Sequence, residues 1–337
     1  MKFGIAGVHY GHFRMIVKDA LQHDEVEVVG VAEADEALRG EWCETCACDG
    51  FDRIEDMLDR AEPDVVIEGS RIDEKADIVR RCADAGSHLI LDKPLGLSLD
   101  ELEAMAAAVR ESGIELSMYF TLRYWPPFVG LKQVVDEGKL GKIVTMISTH
   151  PHKLTSVLQR PASMYERAAY PGTLCDIVCH GLDFCRWLTG AEPVRASATQ
   201  GNVTLPDRPE FEDHVRSCFD LGDGSAAFIT ADWLWPDEAP SFGETRIIAS
   251  GTKGTATLCA WAKNELEVAL TGSGAEQVDL PKVELKQFVD DFVNAIKTGN
   301  APPISNRDVF QTAHACLLAR QSAESDGAPV SIPTMWE

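Results

Sequence analysis

Short apolar runs alternate with amphipathic stretches through the first third of the chain. The apolar runs predict strands at residues 2–6, 26–32, 64–68, 88–91 and 115–119. The amphipathic stretches predict helices at residues 11–21, 35–46, 54–60, 74–85 and 98–111. Strands that are apolar on both faces and alternate with helices are typical of a parallel sheet covered by helices on two sides. We therefore predict a doubly wound α/β domain over residues 1–121.

After Phe120 the hydrophobic pattern becomes that of an α+β domain. Helices are predicted at residues 127–137, 173–188, 283–297 and 306–323. Strands are predicted at residues 143–149, 194–198, 214–219, 226–235, 245–249, 255–259 and 265–270. Successive strands joined by turns such as residues 222–224 (GDG) favour a large open, mostly antiparallel sheet. We assign residues 122–337 to this second domain.

The composition is that of a globular protein, and its charge argues against some partners. Of the 337 residues 45% are apolar, and 31 basic against 54 acidic residues give a net charge of -23. Because no basic cluster is present to neutralise phosphates, we expect neither nucleic acid nor an anionic membrane surface as a partner. No apolar run approaches the length of a spanning helix, and the N-terminus begins directly with a strand pattern. We therefore expect a cytoplasmic protein.

The ten cysteines are best interpreted as small buried side chains in a reducing compartment. The segment Cys43 to Cys48 (CETCAC) raises the alternative of a metal or redox site. No second Cys pair or His pair follows at zinc-ligand spacing to complete four ligands. We therefore predict no metal site.

The connection between the first predicted strand and helix, Gly7 to Gly11 (GVHYG), is similar to a dinucleotide-binding turn shortened by one residue. Gly7 would permit the tight turn, and Gly11 would permit close packing of the helix. The second predicted strand ends near Glu33, whose carboxylate would accept hydrogen bonds from a ribose 2′-hydroxyl and repel a 2′-phosphate. This arrangement predicts a site that prefers NAD to NADP. The alternative is that Glu33 is a solvated loop residue.

The fourth predicted strand is followed by Asp92-Lys93-Pro94. Ligands of open parallel sheets bind beyond the carboxyl ends of the strands, so Lys93 occupies a position suited to chemistry. Pro94 disfavours a helical backbone at Lys93 and holds it extended. The alternative is a lysine that simply solvates a strand end.

The predicted helix at residues 173–188 is apolar nearly all round, which indicates burial. Asp176, His180 and Asp183 interrupt it at positions i, i+4 and i+7 and therefore form one polar stripe. Buried ionisable groups are costly unless they face a polar pocket or one another, so the stripe predicts a site. The alternative for Asp176 is a capping box with Thr173, which leaves His180 unexplained.

These three motifs together resemble the Gfo/Idh/MocA family of oxidoreductases. The likeness extends over nearly the whole chain, through residues 140–143, residues 250–254 and the region of Ser331. The family's usual Glu-Lys-Pro is Asp-Lys-Pro here, and the glycine loop is one residue shorter. The resemblance implies an N-terminal Rossmann domain that binds NAD, with NADP less favoured, and a C-terminal α+β domain that binds substrate.

The resemblance also implies the roles of individual residues. His180 would act as general base, Asp176 would orient it and raise its pKa, and Lys93 would stabilise a developing alkoxide. The predicted cofactor-binding residues are Gly7, His9, Tyr10, Gly11, Glu33, Ser70, Asp92, Lys93 and Pro94. The predicted substrate-binding residues are Arg123, His152, Asp176 and His180. His150 is a weaker candidate, and Trp233 and Trp235 are interpreted as sheet packing or an oligomer interface.

The predicted function is transfer of a hydride between nicotinamide and a secondary hydroxyl of a sugar, polyol or related small polar metabolite. One alternative is a glycosidase or lyase that oxidises its substrate transiently with NAD. Another is a non-catalytic nucleotide sensor, and zinc chemistry has no spacing signature behind it. We expect a homodimer or homotetramer that associates through the exposed sheet.

Overall fold

The computed structural model describes residues 1–9, 11–154 and 162–337. These residues form two compact units. The first comprises Met1–Tyr119, Lys286–Ala313 and Trp336–Glu337, and the second comprises Phe120–Leu285 and His314–Met335. Tyr10 and residues 155–161 lie outside the described residues, so the cofactor role predicted for Tyr10 stays a prediction.

The first unit contains a parallel six-stranded sheet in the order β3-β2-β1-β4-β5-β6. Its strands are β1 (Lys2–Ala6), β2 (Glu27–Ala32), β3 (Asp49–Phe51), β4 (Val65–Glu68), β5 (His88–Leu91) and β6 (Leu116–Met118). Its helices include α1 (Phe13–Ala20), α2 (Glu36–Cys46), α3 (Ile54–Ala61), α4 (Ile72–Ala85) and α5 (Leu99–Ser112). The predicted doubly wound domain is confirmed. The prediction missed β3, which has three residues and a glycine and so gives no hydrophobic pattern.

The predicted assignment of all residues after 121 to one domain differs from the structure, because residues 286–313 return to the first unit. Helix α8 (Gln287–Thr298) buries an apolar face there, and the rings of Phe288 and Tyr119 meet edge to face at 5.1 Å. Asn306 completes the edge strand β6 by accepting a hydrogen bond from Leu116 N at 2.7 Å. Burial of this apolar face and pairing of the strand edge therefore draw the later segment into the first unit.

The second unit contains a nine-stranded sheet in the order β14-β13-β12-β11-β7-β10-β9-β8-β15. Its strands are β7 (Ile143–Pro151), β8 (Pro193–Gly201), β9 (His214–Leu221), β10 (Ala226–Asp232), β11 (Thr245–Gly251), β12 (Gly254–Ala260), β13 (Glu265–Leu270), β14 (Gly274–Gln277) and β15 (Val330–Ser331). Strands β7 and β10 pair in parallel, and the other pairs are antiparallel. The prediction of a mostly antiparallel sheet is confirmed. It missed the edge strands because β14 is exposed throughout and β15 has two residues.

Helix α6 (Pro126–Asp136) precedes the sheet, and α9 (Asn306–Glu324) contributes residues to both units. The predicted helix at 173–188 forms as a π-helical turn, Leu174–Val178, followed by α7 (Cys179–Thr189). Gly181 of α7 lies close to the sheet, because a Cβ built on it would come within 2.7 Å of His150 Nε2. A glycine at this position lets the helix approach strand β7.

The capping-box interpretation of Asp176 is wrong. Thr173 has helical dihedral angles and makes no side-chain cap. Its hydroxyl instead donates to the Glu212 carbonyl at 2.5 Å and accepts from Trp233 Nε1 at 3.0 Å. Thr173 therefore holds the start of this segment against the residues that flank β9 and β10, and its hydroxyl does not cap the helix.

Trp233 and Trp235 lie beyond the end of β10, which was predicted to run to residue 235 and stops at Asp232. Trp233 is buried, and Trp235 Nε1 donates to the Ser241 carbonyl at 3.1 Å. Both tryptophans therefore serve packing within the second unit. In the described parts of the chain, no helix is both long and apolar enough to span a bilayer.

Candidate functional site

The glycine turn that follows β1 is built around a left-handed residue. Gly7 has a φ of +73°, and a Cβ on it would lie 2.4 Å from Ser70 Cα in the turn after β4. Strands β1 and β4 are neighbours at the point where the strand order reverses, which is where open α/β sheets bind ligands. Only glycine permits both the backbone conformation and the close approach. Gly11 lies in the exposed turn immediately before α1.

The predicted ribose carboxylate, Glu33, follows β2 and is buried. His9 Nε2 lies 3.2 Å from Glu33 Oε2, and Asp35 N donates to Oε1 at 3.0 Å. Glu33 is therefore an ordered acceptor at the end of the strand, and the interpretation as a solvated loop residue is wrong.

Ser70 belongs to a buried polar chain beneath the turns. Its backbone N donates to Glu68 Oε1 at 2.8 Å, and its hydroxyl lies 2.5 Å from the same oxygen. Glu68 Oε2 pairs with Lys75 Nζ at 2.9 Å, and Lys75 also donates to the Asp92 carbonyl. Buried charges are stable only when paired in this way. These hydrogen bonds and the ion pair connect the turn after β4 to the turn after β5.

Asp92 joins the Lys93 turn to the glycine turn. Its Oδ1 accepts from Lys93 N at 2.8 Å and lies 3.0 Å from His12 Nδ1, while its Oδ2 accepts from His12 N at 3.1 Å. Burial by itself raises the pKa of Asp92, but His12, Lys93 and Lys75 more than offset it, so the pKa is lowered to about 2. The carboxylate is ionised at neutral pH and fixes the backbone of Lys93. Lys93 is buried, and a cis peptide bond joins it to Pro94.

In the second unit Asp176 is buried within the π-helical turn and accepts a hydrogen bond from Tyr170 Oη at 2.7 Å. His180 is also buried, one turn later, and the ring of Phe120 meets its imidazole edge to face at 6.0 Å. Both predicted catalytic side chains of this helix therefore lie among ordered neighbours.

Arg123 and Asp183 form a buried ion pair. Arg123 Nε donates to Asp183 Oδ2 at 2.8 Å and Nη2 donates to Oδ1 at 2.6 Å, and the guanidinium lies 5.7 Å from the centre of the Trp187 ring. This bidentate pair accounts for the third member of the polar stripe. The substrate-binding role of Arg123 stays a prediction, and the structure gives its charge a structural partner.

The two histidines at the end of β7 differ in environment. His150 is buried between Ser148 Oγ, 3.1 Å from Nε2, and Thr245 Oγ1, 3.3 Å from Nδ1, and burial lowers its pKa to about 4. His150 is therefore a neutral structural residue at physiological pH. His152 Nδ1 lies 3.2 Å from the His150 carbonyl, and its ring packs against Phe242. The substrate role of His152 stays a prediction.

Models of two domains of one protein family match this sequence. The model described as an oxidoreductase family with an NAD-binding Rossmann fold matches residues 1–120, and the GFO/IDH/MocA C-terminal domain matches residues 128–257. The chain belongs to the GFO/IDH/MocA family. It is thus an NAD(P)-dependent oxidoreductase, and the predicted family and cofactor are confirmed.

Relatives of this GFO/IDH/MocA protein align over most of its length. It is 27% identical over 288 residues to the uncharacterised oxidoreductase YrbE of Bacillus subtilis, which covers 82% of this chain and 80% of that protein. It is 24% identical over 310 residues to inositol 2-dehydrogenase of Rhizobium meliloti, covering 88% and 87%. A solved levoglucosan dehydrogenase with NADH and L-sorbose has a TM-score of 0.85 at 20% identity, with 99% of both chains covered. The structural likeness establishes the shared fold.

Residues of the first unit fit the NAD cofactor expected for the N-terminal domain of this GFO/IDH/MocA protein. The glycine turn has the conformation that allows backbone to approach a phosphate, and Glu33 supplies an acceptor for ribose hydroxyls. Gly7 and Gly11 would lie at the pyrophosphate of the cofactor, and Glu33 would accept from the ribose of its adenosine half. Within residues 1–9, 11–154 and 162–337, no group of three or more His, Cys, Asp or Glu side chains is arranged to hold a metal ion.

Sequence reasoning missed four residues that organise these groups. They are His12, Glu68, Lys75 and Tyr170. Lys75 did leave a signal, because it lies on the same face of α4 as buried Ile78, Val79 and Cys82. Tyr170 left none, since it lies outside regular structure and its partner is known only once the segment has folded.

Replacing Tyr170 with phenylalanine is expected to lower both stability and turnover. Loss of the hydroxyl leaves the buried Asp176 carboxylate without its 2.7 Å donor, which costs about 1.5–3 kcal/mol for a bond to a charged group. Urea unfolding measures the stability, and steady-state kinetics measure kcat. Tyr165→Phe is the matched control, because Tyr165 packs against the same Phe211 ring and has no hydroxyl contact to Asp176. Equal effects of the two variants would contradict the role of the Tyr170 hydroxyl.

Proposed function

We propose that this protein oxidises a secondary hydroxyl of a sugar, polyol or related small polar metabolite with NAD, or reduces the corresponding ketone. The observation that carries the proposal is that Asp176 and His180 are both buried on one face of a largely apolar helix, in a chain whose N-terminal domain matches an NAD-binding Rossmann fold. The names of the relatives support this class of substrate, since they include inositol 2-dehydrogenase and levoglucosan dehydrogenase.

The proposed roles follow from the chemistry of each side chain. His180 takes the proton of the substrate hydroxyl, because imidazole accepts protons near neutral pH. Asp176, held by Tyr170, orients the imidazole and stabilises the imidazolium that forms. The ammonium of Lys93 stabilises negative charge on the substrate oxygen. Bound NAD supplies the hydride acceptor.

The test is a panel of inositols, aldoses and anhydrosugars incubated with the protein and NAD while NADH absorbance is followed. At least one substrate should give net NADH, and NAD at 100 times its dissociation constant should stabilise the fold by about 2.7 kcal/mol. Cleavage of a glycosidic bond without net NADH would support transient oxidation instead. No thermal stabilisation by millimolar NAD or NADP would contradict both enzyme functions and favour a sensor.

We also propose that the protein forms a homo-oligomer through the outer face of the nine-stranded sheet, in which a second copy covers a central apolar row. The row consists of Phe228, Ile147 and Ile248, which are direct neighbours on β10, β7 and β11. Their exposed fractions are 45%, 45% and 43%. Adjacent apolar side chains exposed to this extent favour a surface that another protein molecule covers.

We also propose a cytoplasmic location. The ten cysteines all lie in the described residues, and no disulfide joins them, as suits a reducing compartment.

Ile147→Asp is expected to dissociate the oligomer, because it places a charge at the centre of the row. Size-exclusion chromatography with light scattering measures the molecular mass at several protein concentrations. Val203→Asp is the matched control, since Val203 is 69% exposed and lies outside the sheet strands. A wild-type protein that is monomeric at micromolar concentration would contradict the proposed interface.

A further inference from the structure

His9 lies in the shortened glycine turn, beside the end of β2. Its backbone N–H donates to the Gly69 carbonyl at 2.7 Å, which fixes the turn against the segment after β4. Its ring nitrogen Nε2 lies 3.2 Å from Glu33 Oε2. The His9 side chain is 31% exposed and that of Glu33 is 5% exposed. The His9 imidazole is therefore more accessible than the Glu33 carboxylate. A ligand that binds at the carboxyl end of β2 would contact the imidazole as well as the carboxylate.

Glu33 is held as an anion. Burial by itself raises its pKa, but hydrogen bonds from His9 and from the backbone N–H groups of Asp35 and Val8 lower it on balance. Arg39 Nη1 donates to the backbone carbonyl of Glu33 at 2.6 Å. The charge of the Glu33 carboxylate is therefore constant across the physiological pH range.

The groups around His9 favour its protonation. Its pKa is raised, chiefly by the hydrogen bond to Glu33; burial acts in the opposite direction, and the charges of Glu33 and Glu74 raise it further. Arg71 lowers it, but its guanidinium is paired with Asp73 at 2.7 Å. Arg39 is likewise paired, with Asp52 at 2.9 Å. His9 is thus the group in direct contact with Glu33 whose charge changes near neutral pH.

We propose that His9 is a cofactor-specificity residue that sets, together with Glu33, how strongly the site distinguishes a ribose 2′-hydroxyl from a 2′-phosphate. This inference rests on the proposed use of a nicotinamide dinucleotide. With neutral His9 the pair carries one negative charge, which repels a 2′-phosphate and accepts a hydrogen bond from a 2′-hydroxyl. With protonated His9 the pair is neutral and the imidazolium can donate to a phosphate oxygen.

His9 is protonated below its raised pKa, so discrimination against NADP should weaken as the pH falls through that value and strengthen as the pH rises. Because the 2′-phosphate of NADP also titrates, with a pKa near 6, the informative quantity is the difference between the wild-type protein and a variant without a titratable group at position 9.

Calorimetric titration of NAD and NADP into the full-length protein tests the proposal. The ratio of the two dissociation constants, NADP over NAD, should increase about tenfold between about pH 6 and about pH 8.5 in the wild type. In His9→Gln, which keeps a hydrogen-bond donor but takes no proton, the ratio should follow only the titration of the phosphate. Glu33→Gln should lower the ratio at every pH, and proton NMR should show a lower pKa for His9 in that variant.

The outcomes separate this inference from the proposed function. Wild-type and His9→Gln curves that run parallel would overturn the role of His9, although both nucleotides bind. Wild-type protein that binds neither nucleotide would overturn the proposed function itself. A melting temperature close to that of the wild type shows that each variant is folded, and Glu33→Gln tests the pair independently if His9→Gln does not fold.

Discussion

Lys93→Met is expected to lower kcat by a factor of about 10²–10⁴ while changing the affinity for NAD much less. Methionine is similar in length to the aliphatic part of lysine but lacks the ammonium that would stabilise negative charge on the substrate oxygen. The position is set by Asp92, whose carboxylate accepts from the Lys93 backbone N at 2.8 Å, so the substitution leaves the turn itself in place. Single-turnover kinetics and calorimetric NAD binding measure the two effects separately.

Lys18→Met is the control for this experiment, since Lys18 is exposed on α1 and has no contact with the Lys93 turn in the structure. Its kcat should equal that of the wild type. Unchanged turnover in Lys93→Met would refute the assigned role. A parallel loss of NAD affinity and turnover would instead make Lys93 a cofactor-binding residue.

Asp183→Asn is expected to lower the free energy of unfolding by about 3–5 kcal/mol. The substitution keeps the shape of the side chain but removes the charge that faces the buried Arg123 guanidinium through two hydrogen bonds. A buried cation that loses its carboxylate partner retains the full cost of its desolvation. Equilibrium unfolding in urea, with the slope checked for two-state behaviour, measures the change.

The exposed pair Arg195 and Asp220 provides a matched control for the same chemistry. Arg195 Nε donates to Asp220 Oδ2 at 2.6 Å across strands β8 and β9, with side chains that are 62% and 38% exposed. Asp220→Asn should cost about 0–1 kcal/mol, because water already screens the pair. Equal losses in the two variants would show that burial does not determine the contribution of the Arg123–Asp183 pair.

The sequence predicted the elements whose pattern is local. Central strands of the parallel sheet, such as β4, are buried on both faces, and the first three residues of β4 form an apolar run. The edge strands Asp49–Phe51 and Gly274–Gln277 contain glycine and little buried apolar surface, so nothing in their pattern separates them from loops. The π-helical turn could not be predicted either, because its residues are as apolar as those of the α-helix that follows.

The part of the candidate site that depends on local sequence pattern could also be predicted. Lys93 and Glu33 follow apolar strands directly, and the topology of parallel sheets gives such positions a meaning. The contacts that hold them come from far along the chain: His12 and Asp92 are 80 residues apart in sequence, and Arg123 and Asp183 are 60 apart. No local pattern specifies these pairs, because each partner would also be acceptable as an ordinary surface residue.

The course of the chain between the two units constrains how the protein is made. Strand β6 obtains the side-chain acceptor for Leu116 N from Asn306, and Phe310 stacks at 4.9 Å on Trp336, next to the last residue. When only the first 119 residues have been synthesised, the nucleotide-binding unit therefore lacks the partner of strand β6. The apolar surface that α8 later covers is also exposed. Such nascent chains are exposed to aggregation until residues 286–313 have also been synthesised, and a truncated gene product that stops before Lys286 should need chaperones to stay dispersed.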